Sequence, residues 1–411
     1  MNETNQRYVM KGLSMTTTAP LADVMARTRW MGVGRADDRD ALTAGRNAAQ
    51  EAIIGSSTRL LVVFCSASYD LPRLLQGINE TSGGAPLIGC STAGEIATSG
   101  PGDASVVVTA LGGPGFTAST GASTGAAAAL RQASATAAAC FAHLEPRPHQ
   151  VLMLLADGLS GDQQEVVRGA YGVVGSGVPL VGGCAGDDLK MQKTYQLHGT
   201  EVLTDAVVAA GIGSDTPMGI GVRHGWRKVG DPMLVTASTG NRVLSLDDEP
   251  ALDVYLRRLD APAEAGSDPA AFTHFATTHP LGVSRRSGEE VRFVAEANFE
   301  DRSIGCIAEV PQGGLAWIME GDDASVLAAT DGACQDALGV LGHHRPVGFL
   351  AFDCIARRGV LGEEGIRREV ARIGEHADGA PVAGFYTYGE IARTHGISGF
   401  HNQTLVVLAL S

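Results

Sequence analysis

Hydrophobic residues in this chain form short continuous runs, separated by turns rich in glycine, proline and hydroxyl side chains. The clearest runs are residues 60–64, 106–108, 151–155, 207–210, 347–352 and 405–408. Apolar runs of this length, bounded by turn residues, are typical of strands that are buried on both faces. Segments of helical length lie between several of them. The pattern therefore predicts an α/β fold with mixed sheets and repeated strand–helix–strand units.

A twelve-residue motif recurs along the chain. Residues 86–97 read PLIGCSTAGEIA and residues 381–392 read PVAGFYTYGEIA, so seven positions are identical. A looser copy runs from Pro179 to Asp188. In all three copies a glycine follows the proline after three residues and an acid follows it after nine. We expect each copy at the carboxyl end of a parallel strand, where ligands usually bind in α/β proteins.

The repeat favours two related, pseudo-symmetric halves. We expect a disordered leader at residues 1–28, an N-terminal domain at 29–246 and a C-terminal domain at 247–411. Further helices are expected at 41–54, 71–78, 120–141, 250–256 and 324–341, and further strands at 293–297, 304–310 and 315–319.

Composition excludes several classes of partner. Hydrophobic residues make up 44% of the chain and charged residues 18%, which is typical of a globular protein. The net charge of −14 argues against nucleic acid and anionic membranes, because phosphates are bound by Lys and Arg stripes. No apolar run has the length of a membrane span. The seven cysteines are scattered without a C-x-x-C pair, which fits reduced thiols in the cytoplasm.

The glycine-rich motifs are the first candidates for a binding site. Ser91, Thr92 and Glu95 offer two hydroxyls and a carboxylate on one turn, and Thr387 and Glu390 repeat the hydroxyl and the acid. Such a turn could hold a carboxylate through N–H and hydroxyl groups and an ammonium through its acid. The alternative is a tight turn whose acid caps neighbouring backbone.

Other candidates lie outside those two turns. Arg357 follows the strand at 347–352, and we place it with Arg358 in a loop equivalent to the hydroxyl-rich turn at 66–70. Arginine binds carboxylates through two parallel hydrogen bonds, whereas an ordinary surface arginine is the alternative. The remaining ligand-binding candidates are Asp188, Tyr388 and Asn402.

The repeats, together with the segments at 224–226, 250–252 and 399–405, resemble the FIST family of sensory proteins. The resemblance covers residues 30–411. It implies paired FIST N and FIST C domains in a bacterial intracellular sensor that binds an amino-acid-like metabolite. It also implies a signalling partner, such as a histidine kinase or a diguanylate cyclase or phosphodiesterase.

One branch of the family implies a second hypothesis, a haem-binding nitric-oxide sensor that regulates a histidine kinase or a cyclic-di-GMP enzyme. Haem is therefore a candidate cofactor. His224 and His401 are the candidate haem ligands on their setting alone, because imidazole is a usual axial ligand of haem iron. A hydrogen-bonded or exposed side chain is the alternative for each histidine.

We do not expect an enzyme. The sequence contains no phosphate-binding loop, dinucleotide fingerprint, nucleophile elbow or zinc-protease motif. A third hypothesis is a hydrolase or transferase that uses a cysteine or serine at a strand exit. Four cysteines lie at such exits, and buried inert thiols are the alternative for them. They are Cys65, Cys90, Cys184 and Cys354.

Overall fold

The computed structural model describes residues 28–285, 288–394 and 399–411. Within them, three stretches of chain repeat one order of elements: strand, helix, strand, helix, strand, a two-strand hairpin and a final strand. The first unit consists of β1 (Trp30–Ala36), α1 (Ala41–Ala52), β2 (Thr58–Cys65), α2 (Leu71–Ser82), β3 (Leu87–Ser91), β4 (Glu95–Ala97), β5 (Gly100–Gly102) and β6 (Val106–Gly112).

The second and third units follow the same plan. The second consists of β7 (Phe116–Thr124), α3 (Ala126–Ala138), β8 (His149–Ala156), α4 (Gln164–Val174), β9 (Leu180–Cys184), β10 (Gln196–His198), β11 (Glu201–Leu203) and β12 (Ala206–Ser214). The third consists of β13 (Met218–Arg223), α7 (Asp323–Leu341), β22 (Gly348–Cys354), α8 (Ile355–His376), β23 (Val382–Thr387), β24 (Glu390–Arg393), β25 (Phe400–His401) and β26 (Leu405–Leu410).

An insertion separates β13 from α7 and forms a sheet of its own. It consists of β14 (Arg227–Thr239), β15 (Arg242–Leu246), β16 (Glu249–Pro250), α5 (Ala251–Arg258), α6 (Pro269–Ala276), β17 (Leu281–Arg285), β18 (Gly288–Arg292), β19 (Val294–Asn298), β20 (Ser303–Cys306) and β21 (Leu315–Glu320). Its apolar core, with Tyr255 and Phe272 at the centre, is separate from that of the three units.

Each unit contributes its hairpin to the sheet of another unit. The strand orders are β1-β6-β2-β3-β10-β11, β7-β12-β8-β9-β24-β25 and β13-β26-β22-β23-β4-β5. The first unit therefore completes the sheet of the third, the third completes that of the second, and the second completes that of the first. This cyclic exchange means that no unit closes its own sheet.

The motif copies occupy equivalent places in these sheets, as the repeat predicted. Each lies on the third strand of its unit, which pairs in parallel with the second strand. In each copy the proline carbonyl accepts a hydrogen bond from the neighbouring strand. The donors are Leu61 N–H to Pro86 (2.8 Å), Leu152 N–H to Pro179 (3.0 Å) and Phe349 N–H to Pro381 (2.9 Å).

One face of each of the three unit sheets points into a common apolar core. Phe64 of the first unit packs against Phe352 and Phe385 of the third, with ring centroids 6.2 and 4.7 Å apart. The helices cover the outer faces of the sheets. Burial on both faces explains why the strands read as continuous apolar runs rather than as alternating patterns.

The α/β class and the repeated units predicted from the sequence are confirmed. The looser motif copy at 179–188 belongs to a complete unit of its own, the second, so the described chain contains three such units. The helix expected at 120–141 is wrong at its start. Residues 116–124 form β7, because they pair with β12 along nine positions. Nearly all of the leader expected at 1–28 lies outside the described residues. The boundary expected at Asp247 falls between β15 and β16 and stays a prediction.

The helices bear on two further points. The loop expected to carry Arg357 and Arg358 is absent from its predicted place, because α8 begins directly after β22 and both residues lie in its first turn. No helix in the described part of the chain is long and apolar enough to cross a membrane.

The close parallel pairing of the strands explains why each motif has a glycine three residues after its proline. A Cβ atom at Gly89, Gly182 or Gly384 would overlap with a carbonyl oxygen of the neighbouring strand, at Val63, Leu154 and Ala351 respectively. Gly384→Ala should therefore lower the free energy of unfolding by about 3 kcal/mol in urea denaturation.

Gly374→Ala is the matched control, because Gly374 lies in α8 and its Cβ would meet no atom within 4 Å. That change should leave stability unaltered or raise it by up to about 1 kcal/mol, as expected for glycine to alanine in a helix. Equal unfolding midpoints for the two variants would contradict the close approach of β22 and β23.

Candidate functional site

The three glycine-rich strand exits interlock through backbone hydrogen bonds. Each motif pairs with the other two just beyond the end of its strand. The bonds run from Gly186 N–H to Ser91 O (2.9 Å), from Cys184 N–H to Gly389 O (2.8 Å) and from Ala93 N–H to Tyr386 O (3.0 Å). Because parallel strands end here in all three units, their polar exit loops converge on one region of the molecule.

The motif hydroxyls of Ser91 and Thr387 form hydrogen bonds with the backbone of these interlocking exits. Ser91 Oγ donates to Gly186 O (2.6 Å) and accepts from Tyr195 N–H (2.9 Å). Thr387 Oγ1 accepts a hydrogen bond from Cys184 N–H at 2.8 Å. Both side chains are fully buried. They join one unit to the next, and they do not line the cleft described below.

The repeated acids are also buried and serve the backbone. Glu95 accepts from the N–H (3.2 Å) and Oγ (2.6 Å) of Ser105 and from Thr92 Oγ1 (2.5 Å). Glu390 accepts from the N–H (3.1 Å) and Oγ1 (2.7 Å) of Thr404. In both units the acid thus caps the residue that enters the last strand. Burial raises the pKa of Glu95 to about 7 and that of Glu390 to about 8.

The exit of the third unit is filled by Arg357. Its guanidinium is fully buried, pairs with Asp353 (2.8 Å) and Glu369, and donates to the backbone oxygen of His224 (3.0 Å). Thr330 Oγ1 accepts a further bond from it at 3.1 Å. All of its sides face protein groups, so Arg357 holds α7, α8 and β22 together.

The exit of the second unit is filled in a different way. Gln163 Nε2 donates to the backbone oxygens of Asp157 (2.8 Å) and Ser160 (2.6 Å), and all three side chains are buried. Asp157 Oδ1 accepts from Thr194 Oγ1 at 2.7 Å. Gly158 lies against the side chain of Tyr388.

The exit of the first unit carries small side chains and leaves a cleft of about 660 Å³. All three units contribute to its walls. Its lining consists of Ser66, Ser68, Ala93, Asp103 and Ala104 from the first unit, Asp188 and Leu189 from the second, and Ile355, Arg358, Gly359, Gly362 and Glu363 from the third. The cleft therefore combines hydroxyls, acids, one arginine and an apolar floor, which is typical of a small-ligand site.

Arg358 and Asp188 are the charged groups set deepest in this cleft. Arg358 is 14% exposed, forms two parallel bonds with Asp103 (2.6 and 2.9 Å) and also pairs with Glu363 (2.9 Å). Its bonds with these acids raise its pKa. Asp188 is 28% exposed and accepts from Ser66 Oγ at 3.0 Å. Because both partners of Arg358 are exposed, an incoming carboxylate can replace one of them.

Sequence reasoning named one of the residues that line this cleft, Asp188, among its ligand candidates. Tyr388 lies behind the cleft, and its hydroxyl donates to Asp187 Oδ1 (2.5 Å). Asn402 is buried and donates to the backbone oxygen of His401 (3.0 Å). Ser66 and Ser68 were missed as candidates although their hydroxyl-rich turn was visible in the sequence, and Arg358 was passed over for Arg357. No sequence signal pointed to Asp103.

Neither candidate histidine is placed as an axial ligand of haem iron would be. His224 Nδ1 accepts from Trp226 N–H (2.9 Å), and His401 Nε2 bonds the backbone oxygen of Ala392 (2.9 Å) between β24 and β25. Burial lowers the pKa of His401. Neither ring lines the cleft. Among the described residues, no three His, Cys, Asp or Glu side chains converge as a metal site. These settings do not fit an axial haem ligand.

The strand-exit cysteines are poor nucleophiles in this setting. All seven cysteines are buried and none forms a disulfide. Burial raises the pKa of Cys65, Cys90, Cys184 and Cys354 well above the ordinary thiol value. The thiolate is the reactive form, so these thiols gain little reactivity at neutral pH.

Two family models of known proteins match this chain. A FIST N domain model matches residues 59–249 and a FIST C domain model matches residues 251–393. Together these matches cover most of the chain. The chain therefore belongs to the FIST family, whose domains are sensory domains.

More distant similarity adds little. An uncharacterized protein of Methanocaldococcus jannaschii is 25% identical over 153 residues, which is 35% of this chain and 30% of that protein. The chain thus spans less than a third of that relative's length. The structure of PurLQS from Thermotoga maritima aligns over 93% of this chain and 72% of its own, with 9% identity and a TM-score of 0.21. A score this low supports no argument.

Burial of Glu390 makes stability depend on pH. Its folded-state pKa of about 8 lies above the ordinary value of 4.5, so the folded protein keeps a proton that the unfolded chain releases. Stability from this group is complete below about pH 4.5 and falls as the pH rises towards 8. Glu390→Gln cannot lose that proton, so its stability relative to wild type should grow by up to about 1.4 kcal/mol per pH unit between pH 5 and 8.

Urea denaturation at pH 5, 6, 7 and 8 measures this difference. Glu364→Gln changes an exposed glutamate on α8 and should follow the wild-type profile. A Glu390→Gln curve parallel to the wild-type curve at every pH would show that Glu390 is ionised in the folded protein.

Proposed function

We propose that this protein is a cytoplasmic sensor that binds a small amino-acid-like ligand in the cleft of the first unit. The observation that carries the proposal is the composition of that cleft, to which all three units contribute. A ligand held there would contact all three at once. Its binding would therefore favour one arrangement of the units over another, which is the thermodynamic requirement for a sensor.

The charges of the cleft support this ligand class. Asp188 offers a carboxylate to an ammonium group, and Ser66 and Ser68 offer hydroxyls beside it. Arg358 offers two parallel N–H groups to a ligand carboxylate once a rim acid moves away. Ile355 and Ala93 supply apolar surface between these polar groups.

The output would pass to a signalling protein, such as a histidine kinase or a diguanylate cyclase or phosphodiesterase. We infer a non-enzymatic role, because the thiols at the strand exits are buried and no histidine among the described residues lines the cleft beside Ser66 and Ser68. The usual activating base of a serine nucleophile is a histidine, and the partner of the Ser66 hydroxyl here is the Asp188 carboxylate.

A thermal-shift screen of L-amino acids and small carboxylates tests the ligand. A ligand present at a hundredfold excess over its Kd stabilises the folded protein by about 2.7 kcal/mol, which raises the melting temperature by a few degrees. Asp188→Asn and Arg358→Gln should each remove this shift, because they remove the charges that recognise the two ends of the ligand.

Arg367→Gln is the matched control, since Arg367 lies on the same helix and is exposed outside the cleft. It should keep the full shift. The proposal fails if no compound stabilises the protein, or if the Asp188 and Arg358 variants respond like wild type.

The haem-binding nitric-oxide sensor is the alternative, and the settings of His224 and His401 do not support it. We expect purified protein mixed with haemin to show no Soret band stoichiometric with the protein. A stoichiometric band that disappears in His224→Ala or His401→Ala would overturn the metabolite proposal in favour of haem.

A further inference from the structure

The loop at residues 187–193 has an unusual backbone. Asp188, Leu189 and Met191 adopt left-handed conformations, with φ of 57°, 61° and 52°. Side chains other than glycine, asparagine and aspartate rarely adopt this conformation, because Cβ crowds the following carbonyl oxygen. Leu189 and Met191 are therefore strained, and with Asp188 they place three left-handed residues within four positions. Such strain persists only where surrounding contacts hold it, and it is common at ligand clamps.

The same loop exposes two large apolar side chains. Leu189 is 61% exposed and Met191 is 60% exposed, more than any other large hydrophobic side chain among the described residues. Their surroundings differ, because Leu189 lines the cleft and Met191 does not. Leu189 thus presents apolar surface to the cleft directly beside the carboxylate of Asp188.

A buried latch holds the loop in place. The Asp187 carboxylate accepts from the N–H groups of Met191 (2.9 Å), Gln192 (2.7 Å) and Lys193 (2.9 Å). The Tyr388 hydroxyl donates to the same carboxylate (2.5 Å) and accepts from the N–H of Leu189 (2.9 Å). Burial alone would raise the pKa of Asp187, but these hydrogen bonds lower it.

The latch joins separate units. Tyr388 follows the motif strand of the third unit, Asp187 follows that of the second, and Ser66 of the first unit bonds Asp188 in the same loop. The position of Leu189 over the cleft therefore depends on how the second and third units meet.

We propose that Leu189 is the residue that covers an apolar part of the bound ligand, and that Asp187 and Tyr388 are positioning residues that hold it over the cleft. The proposal rests on the cleft being the ligand site. It makes the cleft selective for ligands that carry an apolar group next to an ammonium. Leu189 and Asp188 then act as neighbours, one covering the apolar group and the other pairing with the charge.

The first experiment compares two substitutions in this loop by isothermal titration with L-leucine and with glycine. Leu189→Ala should weaken binding of L-leucine about tenfold and that of glycine less than twofold, because the lost methyl groups contact the ligand side chain alone. Met191→Ala is the matched control, equally exposed but outside the cleft, and should change neither affinity.

The second experiment tests the latch and needs no ligand. Tyr388→Phe keeps the ring and removes the acceptor of the Leu189 N–H, so hydrogen exchange across residues 189–193 should become at least tenfold faster. Tyr69→Phe is its control, since that tyrosine bonds the backbone oxygen of Ala104 at the rim of the cleft and does not contact the loop.

The double variant Tyr388→Phe/Leu189→Ala separates positioning from a general loss of structure. If Tyr388 acts through Leu189, the double variant binds L-leucine no more weakly than Leu189→Ala alone. Additive losses accompanied by a lower melting temperature would show that Tyr388 serves the fold in general, and they would overturn its positioning role.

The outcomes distinguish this proposal from the proposed function. If Leu189→Ala binds L-leucine like wild type while Asp188→Asn loses it, the cleft is the ligand site and the role of Leu189 is wrong. If neither change affects an amino acid that binds, the cleft itself is the wrong site. Unchanged hydrogen exchange in Tyr388→Phe overturns the latch, whatever the ligand.

Discussion

The structure depends on the hydrogen bonds that interlock the three glycine-rich strand exits. A strand that ends leaves backbone N–H and C=O groups in need of partners, and here another unit supplies them, as at Gly186 with Ser91 and at Ala93 with Tyr386. The exchanged hairpins have the same effect, because the sheet of each of the three units contains two strands from a different unit. No unit completes its own sheet, so the three units have to assemble together.

This interlock also decides where a ligand can bind. The exit loops of all three units converge, and their equivalent positions make each of them a possible ligand-binding site. Arg357 with its two acids fills one exit, and Gln163 with Asp157 fills another. The exit with Ser66 and Ser68 carries side chains too small to fill it, and it opens into the cleft to which all three units contribute. This cleft thus follows from side-chain volume at positions that the backbone makes equivalent.

The repeated acids show that residues of a sequence repeat can serve the same structural role in each copy without binding a ligand. Glu95 and Glu390 each cap the residue that enters the last strand of their unit, Ser105 and Thr404. The second unit has Ala206 at the place equivalent to Ser105, as judged from the backbone bond that it makes to Asp157. Ala206 offers no hydroxyl to the acid of this unit, and Asp188 instead accepts from Ser66 Oγ and is the one motif acid that lines the cleft.

The sequence by itself determined the α/β class, the position of the three central strands of each unit and the existence of the repeat. These follow from local features, because apolar runs, prolines and glycines act on their own segment and its immediate neighbour. It also determined the family, through motifs spread over nearly the whole chain. Only the tertiary structure decided the cyclic hairpin exchange, which pairs strands such as β4 and β23 that lie hundreds of residues apart. It likewise decided the site, because the choice between Arg357 and Arg358 depends on which side of one helical turn faces protein and which faces the cleft.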